Sequence, residues 1–473
     1  MPSSKQHMMN DASDTKPLRD EGGLHTMSQL RIRDLDEAGN QKSLYIAHGA
    51  GSVIDRIETV PMQDNIPLAR RLLGIFLPTG YPNTISPDYT AYHVYNALQA
   101  FSSSIAGLLA SRAVLQGLGV GDENASATNA MLLNVLQESM GRVATILFAH
   151  RVGSAIEAEC KMYRFLADVL NDTAMVSDCL SPMLPKLVRV PLLGASSVFR
   201  ALCGVAGGSS KATLSAHFAR TGNIGELNAK DSSQETVVSL LGMWVGGVVV
   251  SYATSTMATW IWLIILIVVH LSTNYLAVRS VSMPSMNSQR ANIVFSALIE
   301  DGQALPPDKV AKQERIFERS STLRWNGSKA IGTCEIGVPF TRFLRRIGKV
   351  HSKTGSAQDL RVNITELLRV FAEEQYLLWI DAGKRRAIIV LLDNATAQSQ
   401  LRAWAHALRC MHTLECTKEV SPSGSDILRL LSSTLKEQNA AFPGWVKQLE
   451  ATGWSTSTSA LETMGAKRVV FDR

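Results

Sequence analysis

Between Glu235 and Arg279 the chain has no Asp, Glu, Lys or Arg. That absence excludes a solvated surface segment and sets the terms for the rest of the sequence. Other absences narrow the function. None of the six cysteines stands in CxxC spacing, which argues against a disulfide frame and for reduced, buried thiols. No RGG repeat, RRM-like stretch or zinc-finger spacing is present. The net charge of +6 is mild and dispersed, so nucleic acid is not expected as a partner. No HExxH motif, zinc knuckle or Ser-His-Asp set can be assembled, and the sequence names no metal and no cofactor. Residues 1–40 lack an apolar core of the kind a cleavable secretory signal needs, and Asp11, Asp14, Asp20 and Glu21 are acidic where transit peptides are not. This tail is expected to be disordered.

The uncharged stretch divides into two apolar runs, Val237–Ala253 and Met257–Val278, joined by Thr254-Ser255-Thr256. At about 1.5 Å per helical residue, each run is long enough for a hydrocarbon core of roughly 30 Å. The second is apolar on every helical face, with Trp260 and Trp262 near one end and Tyr275 near the other. The first is richer in small residues. Gly242 and Gly246 make a GxxxG spacing that suits close helix packing, within the chain or between copies, and Gly247 widens the smooth face. A helical pair buried in a large soluble domain is the alternative. Lys211, Arg220 and Lys230 precede the pair and Arg279 and Arg290 follow it. Two crossings therefore put both flanks, and the C-terminal domain, in the cytoplasm. The organelle is not specified.

The remaining chain reads as mainly α. A small-residue-rich, membrane-associated helical bundle carrying the apolar hairpin is followed by a smaller α+β domain. The expected divisions are the tail at 1–40, a helical domain at 41–285 with strands or an extended arm over 41–65, and a linker with a charged helix (Asp308–Arg319) at 286–330. An α+β domain is expected at 331–473. Helices are expected over Ala91–Leu118, Ser126–His150, Cys160–Leu180 and Ala195–Ala206, packed against the hairpin rather than spanning on their own. In the last domain Ile331–Val338, Tyr376–Ile380 and Arg386–Leu392 read as strands. Ala395–Met411, Asp426–Gln438 and Pro443–Thr452 read as helices.

Several residue groups are candidates for chemistry. Gly204 to Lys211 places glycines, Ser209, Ser210 and Lys211 before a helix, where backbone N–H groups suit an anion; a tight turn entering a packed helix is the plainer reading. His217, Asn223 and Lys230 lie just before the apolar pair, at a polar mouth or as ordinary anchors. His150 and Arg151 converge with Asp168, Asn171 and Asp172 if their helices pack. Lys161, Arg164, Asp168 and Asp172 also share one helical face, as a salt-bridged or solvated stripe would. His270 and Asn274, one turn apart in the second run, are expected to hydrogen-bond across helices, with a transport role as the alternative. Arg342, Arg345, Arg346 and Lys349 form a basic helical patch suited to anionic lipid, with a solvated face as the plainer reading. Gly117 to Asp122 is a helix-to-helix turn, since it lacks the continuation of a phosphate loop.

FLPTGYPNTISPDY, LQAFSSSIAGLLASRAVLQGLGVGD, GRVATILFAHRVGSAI, YRFLADVLNDTAM and GVAGGSSKATLSAHFARTGNIGELNAKDSSQE, followed by HLSTNYLAVRSV, resemble the root UVB-sensitive family. The resemblance runs over roughly residues 45–300 and continues more loosely beyond. Two departures stand out: Tyr95-Asn96 where the family tends to carry Trp-Asp, and Ser139 where it carries Gly. The resemblance implies a membrane-associated protein without an established chemical activity. Plant members are linked to early seedling development, auxin transport and vitamin B6 homeostasis.

Three functional readings follow. The first is a membrane adaptor or regulator that meets lipid through its hairpin and a cytoplasmic protein through its last domain, alone or with a second copy or related family member. The second is a small-molecule carrier, for a vitamin B6 compound or another anionic metabolite, using Lys211, His217 and Lys230 at a pocket beside the hairpin. The third is an enzyme of undescribed type at that same pocket.

Overall fold

The structure is a computed structural model that describes residues 29–35, 41–50, 53–61, 76–117, 127–351, 354–360, 362–417, 422–463, 465 and 467–471. The chain divides at Thr84 into two units. In the first, β1 (Gln29–Leu35), β2 (Gln41–Ala50) and β3 (Val53–Pro61) form an antiparallel meander in that order. Ile32 stands opposite Tyr45, and Ile46 opposite Glu58. β1 falls inside the tail expected to be disordered. Its sequence, QLRIRDL, alternates apolar and charged residues with the period of a strand. The rest of that tail, 1–28 and 36–40, lies outside the described residues. Within Phe76–Thr84 the chain turns tightly, with Gly80 at a φ of 78°.

The second unit opens with six helices: α1 (Tyr89–Gly117), α2 (Ala127–Ala158), α3 (Cys160–Leu180), α4 (Lys186–Phe218), α5 (Ile224–Tyr252) and α6 (Thr256–Ser280). α1, α4, α5 and α6 are each long and apolar enough to cross a membrane. The apolar pair is where it was expected, but it has company. α1 carries a single full charge, Arg112, and its guanidinium donates to the Val250 and Ala253 carbonyls at the end of α5, both at 2.8 Å. α4 was expected to begin near Ala195. It begins at Lys186, just after Pro185, and runs through Pro191 in its second turn. The turn expected over Gly117 to Asp122 lies, beyond Gly117, outside the described residues.

Helices α5 and α6 make their extensive contacts with α1, not with each other. α1 also lies against α3, while α4 packs on α2 and α3. Gly242 and Gly246 explain how α5 approaches α1. A Cβ on Gly242 would sit 2.8 Å from Ser104 Cβ and 3.0 Å from the Phe101 carbonyl; one on Gly246 would sit 2.7 Å from Leu108 Cδ1. The GxxxG face is therefore filled by the chain itself. Gly247 faces open space.

Polarity is inverted relative to a soluble domain. Trp244 is 71% exposed and Leu187 88%, whereas Asp168, Asp172, His270 and Asn274 are buried. Exposed large apolar side chains run along α2, α5 and α6, as lipid-facing helices require.

The C-terminal body follows without a free linker. β4 (Met286–Asn287) leads into α7 (Ser288–Glu300), then α8 (Pro307–Ala311), β5 (Thr322–Trp325), β6 (Lys329–Ile336) and α9 (Phe340–Ile347). Next come β7 (Lys349–Val350), β8 (Ala357–Gln358), α10 (Ile364–Val370), β9 (Tyr376–Asp381) and β10 (Arg386–Leu391). α11 (Ala397–Thr417), α12 (Gly424–Ala451) and β11 (Ser459–Ala460) complete it. The main sheet has the order β5-β6-β10-β9, with β6 parallel to β10 and the other pairs antiparallel.

Three expectations are corrected here. Residues 286–330 are not a linker, because α7 is buried along nearly its whole length; its Asn292 accepts a 2.9 Å bond from the fully buried Trp404 of α11. The charged helix shrinks to Pro307–Ala311. The two helices expected at 426–438 and 443–452 are one, α12, which starts at a Ser423/Asp426 capping box and absorbs Pro443.

The glycine contacts give a paired expectation. Gly246→Leu overpacks the α1–α5 interface and lowers stability in detergent by about 1–3 kcal/mol. Gly247→Leu, one residue on, leaves it nearly unchanged. Thermal unfolding of the two purified variants checks this.

Candidate functional site

Lys161, Arg164, Asp168 and Asp172 recur every three or four residues and share one face of α3. That face turns inward, so the solvated form of the stripe is not what forms. His270 of α6 meets it. Its Nδ1 lies 2.8 Å from Asp172 Oδ1 and 2.9 Å from Oδ2, and its Nε2 lies 3.8 Å from Asp168. Gln99 of α1 completes the ring. Its Oε1 faces the Arg164 guanidinium at 3.5 Å, so its Nε2 is the group that donates to Asp168 and approaches His270 Nε2 at 3.2 Å. This orientation makes His270 Nε2 an acceptor and Nδ1–H a donor to Asp172, the neutral tautomer. Asn274 donates to Asp168 and to the Arg164 carbonyl, and Arg164 donates to Asn96 at 2.8 Å. Asn171 reaches Ser103 at 3.4 Å. His270 and Asn274 are each 1% exposed.

The expected cross-helix bonding of His270 and Asn274 is thus present, and their partners are the α3 carboxylates. His150 and Arg151 are not members. They are exposed on α2, because the inward face of that helix belongs to Gly141 and Ile156. The sequence marks Asn96 only as a departure from the family's Trp-Asp pair and does not mark Gln99. Their signal is two amides, three residues apart, on an otherwise semi-apolar helix.

The glycine-rich stretch at 204–211 forms no turn. It lies inside α4, where the backbone N–H groups are taken up by the helix, so the expected anion cradle is not built. The small residues instead let α4 approach α3: a Cβ on Gly207 would touch Ala167 at 3.6 Å. Ser210 bonds back to the Gly207 carbonyl, Ser209 lies on the exposed side, and Lys211 pairs with Glu235 at 2.7 Å. Asn223 precedes α5 and Lys230 lies two turns into it.

His217, near the end of α4, does find a setting. Its Nε2 is 2.9 Å from Asp88, which also accepts from the Ser282 backbone N–H at 2.8 Å. Burial pushes the Asp88 carboxyl up, but the His217 bond and charge, Ser86 and the Ser282 N–H outweigh it and hold Asp88 below its ordinary value. Beside this pair lies a cleft of about 400 Å³, lined by Glu157, Thr213, His217, Ser285, Ser455 and Thr458 among others. It sits where the bundle meets the C-terminal body. Of the expected basic patch, Arg342, Arg345 and Arg346 line an open groove on α9; Arg342 lies 2.9 Å from Glu335, and Lys349, outside the groove, 3.0 Å from Asp359.

The lower end of α3 joins the two parts of this unit. Lys161 and Arg290 both bond to Glu314, Arg279 donates to the Glu314 and Lys312 carbonyls, and Asn287 donates to Glu159 at 2.9 Å. Burial, only partly offset by Arg290, pushes Glu159 up from 4.5 to about 7. The raised value means that its contribution to stability is fully present below about pH 4.5 and is lost as pH rises through about 7. Relative to Glu159→Gln, the protein is therefore expected to lose on the order of 3 kcal/mol between pH 4.5 and 8. Denaturation midpoints of both proteins across that range measure the difference; parallel profiles contradict it.

Two family models match the chain. One, a vitamin B6 photo-protection and homoeostasis domain, covers residues 62–302; the other, the C-terminal region of root UVB sensitive protein, covers 349–464. RUS family member 1 of Dictyostelium discoideum is 37% identical over 250 residues, which are 52% of this chain and 47% of that protein. Protein root UVB sensitive 3 of Arabidopsis thaliana is 35% identical over 265 residues, 55% of this chain and 60% of its own length. The chain thus matches only about half the length of these two relatives. Protein root UVB sensitive 2, chloroplastic, also from Arabidopsis thaliana, is 25% identical over 410 residues, 86% of each chain. No solved structure matches. With the first model covering half of its residues, this chain belongs to the root UVB-sensitive family.

Proposed function

We propose that this chain is a membrane-embedded carrier for a small metabolite of the vitamin B6 class, with the Asp168–His270–Asp172 node as its proton-linked switch. One observation carries the reading: an imidazole lies between two carboxylates inside a bundle whose outer surface is apolar. Ionisable groups at membrane depth are expensive and mark ion or proton pathways. The three helices that hold the node, α1, α3 and α6, also pack on one another. A proton gained or lost by His270 changes the bonding of Asp172 and Gln99 together, and so biases how those helices pack. The vitamin B6 class comes from the description of the matching domain. The cationic residues flanking α5 and α6 favour a cytoplasmic side for the C-terminal body in this reading.

The adaptor reading stands second, favoured by the cationic groove on α9. There the bundle is an anchor and the C-terminal body meets an acidic partner or anionic lipid.

Reconstituted vesicles separate the two. Radiolabelled pyridoxine uptake, driven by an acidic exterior, is expected to exceed that of protein-free vesicles severalfold. It should fall at least tenfold in His270→Gln and Asp172→Asn, provided that both variants insert and unfold at near-normal temperature. Uptake equal to that of empty vesicles contradicts the carrier and leaves the adaptor.

A further inference from the structure

The carrier reading leaves open where a solute is recognised and which chemical form is taken. The cleft beside His217 answers both. Its wall is assembled from four separate segments. α2 ends in it with Glu157 and Ala158, and α4 ends in it with Thr213, Ala216 and His217. The chain just after α6 adds Met283 to Ser285, and residues 455–462 come from the far end of the C-terminal body. Backbone pairing holds the last two together: Ser455 N–H donates to the Pro284 carbonyl at 3.0 Å, and β11 lies parallel to β4 with Ser459 opposite Met286. Ser154 closes one side with a 3.2 Å bond to the Thr463 carbonyl. Both matched family regions thus contribute to one cavity.

The lining has a definite chemistry. Met283, Pro284, Ala158 and Ala216 give apolar walls, and a volume of about 400 Å³ suits a single-ring compound. Ser154, Thr213, Ser285, Ser455 and Thr458 bring hydroxyls. Glu157 brings an exposed carboxylate. Glu462 lies at the rim, with its charge met by Arg468 at 2.8 Å and Gln400 at 3.0 Å. Among the described residues, neither lysine nor arginine lines the cleft. His217 is fixed by Asp88. In its neutral form His217 donates Nε2–H to that carboxylate and keeps Nδ1 as an acceptor. A phosphate or carboxylate entering here meets the Glu157 carboxylate and no lining lysine or arginine, whereas an amine or hydroxyl finds acceptors on several sides.

We propose that this cleft binds a small, unphosphorylated, ring-bearing amine or alcohol, and that it discriminates against the phosphorylated form. Within the vitamin B6 class, which the inference takes from the preceding reading, the ligand is of the pyridoxamine or pyridoxine type, not the 5′-phosphate. Recognition pairs Glu157 with the amine and His217 Nδ1 with a ring hydroxyl. Ala216 marks the wall that a larger side chain would fill.

The test is equilibrium binding of radiolabelled pyridoxamine, pyridoxine and pyridoxal 5′-phosphate to the full chain in detergent, beside Ala216→Trp, Glu157→Gln and His217→Gln. Expected are saturable binding of the first two compounds and at least tenfold weaker binding of the phosphate. Ala216→Trp should lose both ligands. Glu157→Gln should weaken pyridoxamine at least fivefold and pyridoxine less. His217→Gln should weaken both. Unfolding temperatures of the variants identify any that fail to fold, and Glu157→Gln, on an exposed residue, serves as the variant least prone to that failure. Tighter binding of the phosphate, or binding that ignores both Ala216→Trp and Glu157→Gln, overturns the assignment. Uptake into vesicles without pyridoxamine or pyridoxine binding at this cleft overturns the cleft and spares the carrier. Binding without uptake does the reverse.

Discussion

An ionised side chain in an apolar medium must be paired, and α3 carries more of them than any membrane bundle tolerates unpaired. Lys161, Arg164, Asp168, Asp172 and Asp178 all lie on this helix, and each finds a partner on another element. The neighbours follow from that need. α1 supplies Asn96 and Gln99, α6 supplies His270 and Asn274, and α4 supplies Ser196 and Arg200 to Asp178. Once these faces are turned inward, the apolar faces of the same helices are turned outward. The inverted surface of the bundle and its polar interior are one arrangement seen from two sides.

The same helix ties the bundle to the C-terminal body. At its lower end Lys161 reaches Glu314, and Glu159, just before it, accepts from Asn287. Asn287 also caps α7, its side chain accepting the Arg290 N–H at 2.9 Å. α7 in turn lies against β5 and α11, at the centre of the C-terminal core. α3 thus runs unbroken from the His270 node to Cys160, two residues beyond the Ala158 that lines the cleft.

The apolar pair, the bounds of α3 and three of the four main strands were legible because each rests on local pattern: an uncharged run, a helix between clear breaks, short alternating segments. The partners of the α3 carboxylates were not. Asp168 and Asp172 suit a solvated stripe as well as a buried one, and only the packing of α6 decides between them. His150 looked like their neighbour because it is near in sequence; His270, about a hundred residues on, is near in space. The glycines at 204–208 suited a turn on composition alone, but small residues also serve close helix contact, and Ala167 across the interface favours the second use. The polar residues of α7, Ser288, Gln289, Arg290 and Asn292, read as linker because such residues signal solvent exposure. They are buried and bonded instead, Arg290 to Glu314 and Asn292 to Trp404.

Everything above depends on the outer face of the bundle meeting lipid while the α3 face does not. The most direct test is a nitroxide label at Val248, 57% exposed on α5, in nanodiscs containing the full chain. The account expects relaxation by oxygen, which concentrates in the bilayer, and protection from a water-soluble nickel chelate. Strong relaxation by the chelate with little from oxygen would put that face in water, and the bundle could not then be a membrane domain.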